Sequence, residues 1–213
     1  MKSLPAKLYL AISGQSEGEE ERMIVGQLNP ALTFTGKQEA RQLARALQWE
    51  PLSAIYASPL TRAIETASPI AELHRLPILI CDRLKAQHYG DLEGKIIHEC
   101  DVTESKRWSK RPINPAHHRV HRGETFFELI SRVWVCLEKI YDREPGGTVL
   151  IVAHRSTNQA ILSYLMNWPP EKAACLKLQR HFLYEIIPGE SIQMNSILLA
   201  EKNCGDCYEG FII

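Results

Sequence analysis

Short runs of apolar residues alternate along the chain with segments in which apolar residues recur every three or four positions. The apolar runs are typical of buried strands and predict strands at 7–12, 54–57, 77–81 and 148–153. The segments with a helical period predict helices at 35–48, 60–74, 124–142 and 158–166. Two later runs predict edge strands at 183–187 and 197–200.

Two of the predicted helices have a well-defined apolar face. The first helix is expected to begin at Thr35 as N-cap, with Gln38 at the capping-box position. Its buried residues are expected to be Ala40, Leu43, Ala44 and Leu47. The long third helix is expected to bury Phe127, Ile130, Trp134, Leu137 and Tyr141.

The order of strands and helices predicts the fold class. Alternating strands and helices are typical of an α/β three-layer sandwich with a mostly parallel central sheet. Residues 92–122 interrupt the alternation and are rich in charge, histidine and proline, so we interpret them as an insertion that caps one edge. Because we find no internal repeat or flexible linker, we expect residues 1–213 to form one domain.

Composition excludes several classes of function. The 25 basic and 25 acidic residues cancel, so nothing favours binding to nucleic acid or to an anionic membrane. No apolar run approaches the roughly 20 residues that span a bilayer. The six cysteines, without an export signal, are typical of reduced thiols in a cytoplasmic protein. Cys204 and Cys207 form a CxxC pair, which we interpret as an ordinary turn, with a redox or metal role as the alternative. We expect no metal site and no cofactor.

Candidate chemistry follows the predicted strands. Ligands of open α/β sheets bind at the carboxyl ends of the strands. Arg62, His154 and Arg155 lie just after two of those ends. Two cations and an imidazole suit a phosphate or carboxylate if they converge. The alternative is that each residue only braces its own helix.

Several of these segments resemble motifs of the histidine phosphatase superfamily, in its phosphoglycerate-mutase-like group. The similarity covers about residues 6–200, and its motifs occur in order at 26–36, 58–66, 88–94, 123–125 and 152–154. The resemblance implies phosphoryl transfer to a histidine, with two arginines and a second histidine holding the phosphoryl oxygens. A carboxylic acid then protonates the leaving group. Arg62 and His154, together with Gly14, correspond to what remains of that phosphate pocket.

The sequence departs from the family pattern at the residues that perform the chemistry. The family's Arg-His-Gly triplet aligns with Ile12, Ser13 and Gly14. The acid position holds Ala86, and an asparagine that often contacts phosphate aligns with Glu19, inside an acidic run. Losing a general acid costs roughly 10²- to 10⁴-fold in rate, and losing one electrostatic donor roughly 10²- to 10³-fold. We therefore predict a catalytically inactive protein with weak anion or phosphate binding.

We interpret the chain as a pseudoenzyme with a binding, regulatory or structural role. The alternative is a phosphomonoester hydrolase or a mutase with altered chemistry, and a redox or metal module at Cys204 and Cys207 is a third class. We expect a protein partner or self-association. Trp108 and Arg111 in the insertion are the candidate contacts, because Trp and Arg often anchor interfaces.

Overall fold

The computed structural model describes residues 5–96, 116–189 and 191–199. Within these residues, six strands form one sheet. The strands are β1 (Lys7–Ile12), β2 (Ala54–Ala57), β3 (Ile78–Ile80), β4 (Thr148–Ala153), β5 (Phe182–Ile187) and β6 (Gln193–Leu198).

The sheet is mostly parallel, with the order β3-β2-β4-β1-β5-β6. The pairs β2–β3, β2–β4 and β1–β4 are parallel, whereas β1–β5 and β5–β6 are antiparallel. This confirms the predicted fold class. The apolar run at 148–153 is a central strand, as its lack of polar residues indicated. The expectation of two late edge strands is wrong for β5, since β5 lies between β1 and β6.

Helices cover both faces of the sheet. They are α1 (Glu17–Glu20), α2 (Phe34–Ala46), α3 (Thr61–His74), α4 (Phe126–Arg143), α5 (Arg155–Leu165) and α6 (Pro170–Ala174). One core cluster joins α4 and α5 to the sheet, and a second joins α2 and α3 to the opposite face. The two clusters give the three layers expected of this α/β class. The short helices α1 and α6 were not predicted, because four or five residues are too few to show a period.

The helix α2 buries the predicted residues but begins at a different cap. Its apolar face packs in the second core cluster, with Leu43 only 2% exposed. The N-cap is Thr33, whose side chain accepts a hydrogen bond from the backbone N–H of Gly36. The prediction of Thr35 and Gln38 is therefore wrong. Both candidate caps are threonines two positions apart, and only the path of the preceding loop distinguishes them.

The long helix α4 has a capping box that links Thr125 and Glu128. Its buried face includes the predicted Ile130, Leu137 and Tyr141. The prediction fails at Trp134, which is 41% exposed and packs its ring against Tyr164 at a centroid distance of 5.2 Å. Trp134 lies in the middle of this 18-residue helix, at the side of a buried face centred on Val133, Leu137 and Ile140, so its ring stays partly in solvent.

Part of the predicted insertion lies outside the described residues. Residues 97–115, which include Trp108 and Arg111, are not described, and neither are Cys204 and Cys207. The interface and CxxC hypotheses therefore stay predictions. In the part of the chain that the structure covers, no helix is long and apolar enough to cross a membrane. The described cysteines Cys81, Cys136 and Cys175 are free thiols.

The loop after β1 packs directly on the start of α2 through two glycines. A Cβ atom on Gly14 would lie 2.5 Å from the carbonyl oxygen of Gly36, and a Cβ on Gly36 would overlap the carbonyl oxygen of Gln15. Both obstacles are backbone atoms, which cannot move aside as a flexible side chain would. This contact fixes the position of the residues that follow β1.

We predict that Gly36→Ala destabilises the protein, although Gly-to-Ala normally stabilises a helix by up to about 1 kcal/mol. The added methyl group must displace the loop after β1, and overpacking of this kind costs about 1–3 kcal/mol. Urea unfolding measures the change, with Lys37→Ala as the exposed control in the same helical turn. A stability of Gly36→Ala equal to or above that of the original chain would contradict the close approach.

Candidate active site

The carboxyl ends of three parallel strands meet at one edge of the sheet. Ile12 pairs with Ala153 across β1 and β4, and Ala57 pairs with Val152 across β2 and β4. These strands end within one residue of each other, so the residues that follow them lie at the same level. Those residues are Ser13, Ser58 and His154.

A cavity of about 770 Å³ opens at this edge. This volume lies within the range of small-molecule sites. The structure brings together most of the residues selected from the sequence, because the cavity is lined by Ile12, Ser13, Arg62, Ala86, His154 and Arg155. Gly14 lies beside the cavity and donates its backbone N–H to Thr66 Oγ1 at 2.9 Å.

His154 is almost fully buried, with 6% of its surface exposed. Its Nε2 atom lies 2.8 Å from Ser58 Oγ. Ser58 Oγ also accepts the backbone N–H of Leu60 at 3.3 Å, so the serine proton is free to be donated to Nε2. Burial lowers the pKa of His154 well below its usual value, and the charges of Arg62 and Arg132 act in the same direction. The ring is therefore a neutral imidazole at neutral pH.

Arg62 projects from the first turn of α3 and is 4% exposed. Its Nη1 donates to the carbonyl oxygen of Leu28 and its Nη2 to that of Gly26, both at 2.7 Å. Burial lowers the pKa of Arg62 to about 10, and the negative charges of Glu19 and Glu93 oppose this shift. The guanidinium remains charged, but two of its five N–H groups serve the loop that precedes α2.

Among the described residues, the side chain of Ser13 has no hydrogen-bonded base. Ser13 is 3% exposed, and its backbone N–H donates to Ala153 O at 2.9 Å. Within the described residues, its hydroxyl forms no hydrogen bond to any side chain, and His154 is engaged by Ser58 instead. A serine without a base is a weak nucleophile.

The carboxylate of Glu124 is linked to the backbone of Ala86 through one arginine side chain. Arg132 bridges the two, donating from Nη2 to Ala86 O at 2.8 Å and to Glu124 Oε1 at 2.7 Å. Arg132 Nε and the backbone N–H of His88 also donate to Glu124, at 3.1 and 2.9 Å. The carboxylate is an acceptor for these donors and braces the loop.

Glu19 lines the cavity, as the position of the acidic run indicated. Its carboxylate pairs with Arg180 at 2.5 Å and accepts the backbone N–H of Ser16 at 3.0 Å. Sequence analysis did not identify Arg180 or Arg22 as cavity residues. Both lie in irregular segments far apart in the chain, so no local pattern could have identified them.

Two histidines, His117 and His121, contact carboxylates that are distant in the chain. His121 Nδ1 lies 2.7 Å from Asp91 Oδ2, and His117 Nε2 lies 3.6 Å from Glu171 Oε1. Because the partners are far apart in sequence, no local pattern indicates these contacts. Across the described ranges, no group of three or more His, Cys, Asp or Glu side chains could hold a metal ion.

Comparison with known proteins agrees with this geometry. Residues 8–191 match the family model described as histidine phosphatase superfamily (branch 1). A protein of Shigella boydii serotype 18 named "Probable phosphoglycerate mutase GpmB" is 29% identical over 191 residues, which are 89% of this chain and 88% of that protein. The GpmB of Photorhabdus laumondii is 29% identical over 174 residues, covering 81% and 80% of the two chains.

Solved structures share the fold. YhfR of Bacillus stearothermophilus superposes with a TM-score of 0.77 and is 28% identical, covering 88% of this chain and 94% of that chain. A mycobacterial glucosyl-3-phosphoglycerate phosphatase complexed with VO3 superposes with a TM-score of 0.80 at 23% identity, covering 90% and 97%.

We predict that His154→Gln reduces the loss of stability at acidic pH. An unfolded histidine binds a proton near its ordinary pKa of 6.5, whereas the buried ring does not. Stability is therefore lost as the pH falls from 6.5 toward the lowered folded-state pKa, by about 1.4 kcal/mol for each pKa unit of difference. Glutamine keeps a hydrogen-bonding group at this position but cannot titrate.

Urea unfolding of both proteins between about pH 4.5 and pH 8 measures this effect. The free energy of unfolding should fall more steeply below pH 6.5 in the original chain than in His154→Gln. Parallel curves would show that His154 does not carry the depressed pKa.

Proposed function

Because the chain belongs to the histidine phosphatase superfamily, we propose that it is a catalytically inactive member that uses the family pocket to bind a ligand. The observation that carries the proposal is the Ser13 hydroxyl, which occupies the aligned position of the nucleophilic histidine and has no hydrogen-bonded base among the described residues. His154, which also lines the cavity, has its Nε2 at 2.8 Å from Ser58 Oγ. An unactivated hydroxyl cannot begin phosphoryl transfer at an enzymatic rate.

The phosphoryl-binding groups support the same proposal. Ile12 occupies the aligned position of one family arginine and contributes an apolar side chain that is 8% exposed. Arg62, the second arginine, shares its guanidinium with two backbone carbonyls. Glu19 brings a negative charge to the cavity wall. A transferring phosphoryl group needs cations at its equatorial oxygens, and this cavity supplies one buried guanidinium with an opposing charge nearby.

The leaving group also lacks a proton donor. Ala86 occupies the aligned acid position, and the neighbouring Glu124 accepts hydrogen bonds from Arg132 and from the backbone of His88. The Glu124 carboxyl group already serves as an acceptor for these donors, whereas a general acid must donate a proton to the leaving alkoxide. The nucleophile, one phosphate-binding arginine and the general acid of the family pattern are each replaced. Three separate replacements argue against one substitution for which another residue compensates.

The alternative function is a phosphomonoester hydrolase with altered chemistry. It is favoured by the retained pair of Arg62 and His154, which both line the open cavity. In that case Ser13 would be the nucleophile, and its activation would require His154 to leave Ser58.

We predict that hydrolysis of p-nitrophenyl phosphate and of phosphoglycerates by the purified chain stays at background. A turnover near 1 s⁻¹, at about the lower end of ordinary enzyme rates, would overturn the proposed function. The variant Ser13→Ala separates the two explanations of such turnover. With a mock purification as the control for contaminating enzymes, loss of activity in Ser13→Ala would identify a serine nucleophile, and unchanged activity would indicate another nucleophile in the cavity.

We further predict that activity returns when Ile12→Arg, Ser13→His, Ala86→Glu and Glu19→Asn are combined. Each restores a residue of the family pattern on a scaffold whose strand ends still align. The hydrolysis rate of each single-substitution variant should stay at background, because the nucleophile, the phosphate-binding arginine and the general acid act as a unit.

Adding Arg62→Gln to the combined variant is the matched control and should abolish the regained turnover. Circular dichroism checks that each protein is folded. A folded but inert combined variant would show that more than these four positions separates this chain from an active enzyme.

A further inference from the structure

The cavity combines a buried apolar wall with exposed arginines, and its buried polar lining includes Ser13, Arg62 and His154. Its apolar wall includes Ile12, Ala86, Leu92 and Phe126, each less than 9% exposed. Two of these four, Ile12 and Ala86, stand where the family pattern has charged side chains. The same two substitutions that remove the chemistry therefore enlarge the apolar surface at the sheet edge.

The charges that line the cavity are not balanced. Four arginines and two glutamates belong to its described lining. Arg180 forms an ion pair with Glu19. Glu124 forms an ion pair with Arg132, which does not line the cavity. Arg62 is buried and hydrogen-bonded to backbone carbonyls. Arg62 keeps its positive charge, and the two other arginines have neither a carboxylate nor a carbonyl partner among the described residues.

These two are Arg22 and Arg155, which are exposed. Within residues 5–96, 116–189 and 191–199, neither has an acidic partner at ion-pair distance. Arg155 begins α5 directly after His154, and Arg22 precedes the apolar cavity residue Met23. Their guanidinium N–H groups can donate hydrogen bonds to a ligand without breaking an ion pair to another described residue.

We infer that the cavity binds an amphipathic organic anion, with its apolar body against Ile12 and Ala86 and its carboxylate at Arg155 and Arg22. This inference rests on the proposed function and gives the class of ligand that the inactive pocket takes. It reverses the polarity expected for a phosphomonoester, whose anionic group would lie at the inner end beside Ser13 and Arg62. At the inner end, two N–H groups of Arg62 are already bonded to backbone carbonyls, whereas at the opening Arg155 and Arg22 have no acidic partner among the described residues.

The test uses the fluorescent probe 1-anilinonaphthalene-8-sulfonate, whose aromatic body and sulfonate represent this ligand class. Titration of the full chain should give saturable binding that weakens with added salt, because the headgroup contact is exposed. Octanoate should displace the probe, whereas inorganic phosphate at the same concentration should not.

Variants locate the two ends of the ligand. Arg155→Gln should weaken probe binding by about 10- to 100-fold, the range for loss of a hydrogen bond to a charged group. Ala86→Glu should weaken it by placing a charge in the apolar wall, and Met23→Gln tests the same wall at a half-buried position that tolerates a polar side chain. Arg41→Gln on the exposed face of α2 removes the same charge outside the cavity and should change nothing.

The inference is overturned if the probe fails to bind, if Arg155→Gln and Met23→Gln bind it as tightly as the original chain, or if phosphate displaces it as well as octanoate. The phosphatase assay on the same preparation separates this failure from that of the proposed function. Turnover of p-nitrophenyl phosphate contradicts the proposed function whatever the probe does. If turnover is at background and any of these probe-binding results is found, only the inferred class of ligand is contradicted, and the proposed function is not.

Discussion

The parallel pairing of β1 and β2 with β4 is the constraint on which the site depends. Its register places Ile12 beside Ala153 and Ala57 beside Val152, so three chain segments leave the sheet at one level. Parallel strands achieve this because their crossover helices lie on the faces and leave the carboxyl edge open. A register shift in any of the three strands would separate Ser13 from the two other segments.

Backbone contacts then hold the loops at that edge. The two-glycine contact between the β1 loop and α2 leaves no space for a side chain. Arg62 donates to the carbonyls of Gly26 and Leu28, so a residue that binds phosphate in the family pattern also supports the fold here. Retention of Arg62 is therefore explained by structure alone and is weak evidence for catalysis. The same holds for His154, whose contact with Ser58 joins the ends of β4 and β2.

The electrostatics of the cavity follow from this division between structural and exposed groups. The buried groups have internal partners, with Glu124 held by Arg132 and Arg62 held by backbone carbonyls. The arginines at the opening lack acidic partners in the described part of the chain. A preorganised catalytic site concentrates its unpaired charge where the reaction occurs. In this cavity the arginines with neither an acidic nor a carbonyl partner among the described residues are the two exposed ones, Arg22 and Arg155, which fits the proposed binding role.

The sequence by itself determined the class of fold, the central strands and most of the residues at the sheet edge. Strand and helix periods, and motifs such as the one that contains Arg62, are local features that short segments carry on their own. Only the tertiary structure decided that Ser13 has no hydrogen-bonded base among the described residues, that Glu19 pairs with Arg180 and that Trp134 is partly exposed. These facts depend on residues that are distant in the chain, and a one-dimensional pattern contains no information about which distant side chains come into contact. The cap of α2 at Thr33 likewise depended on the loop that precedes it, because two threonines offered the same local chemistry.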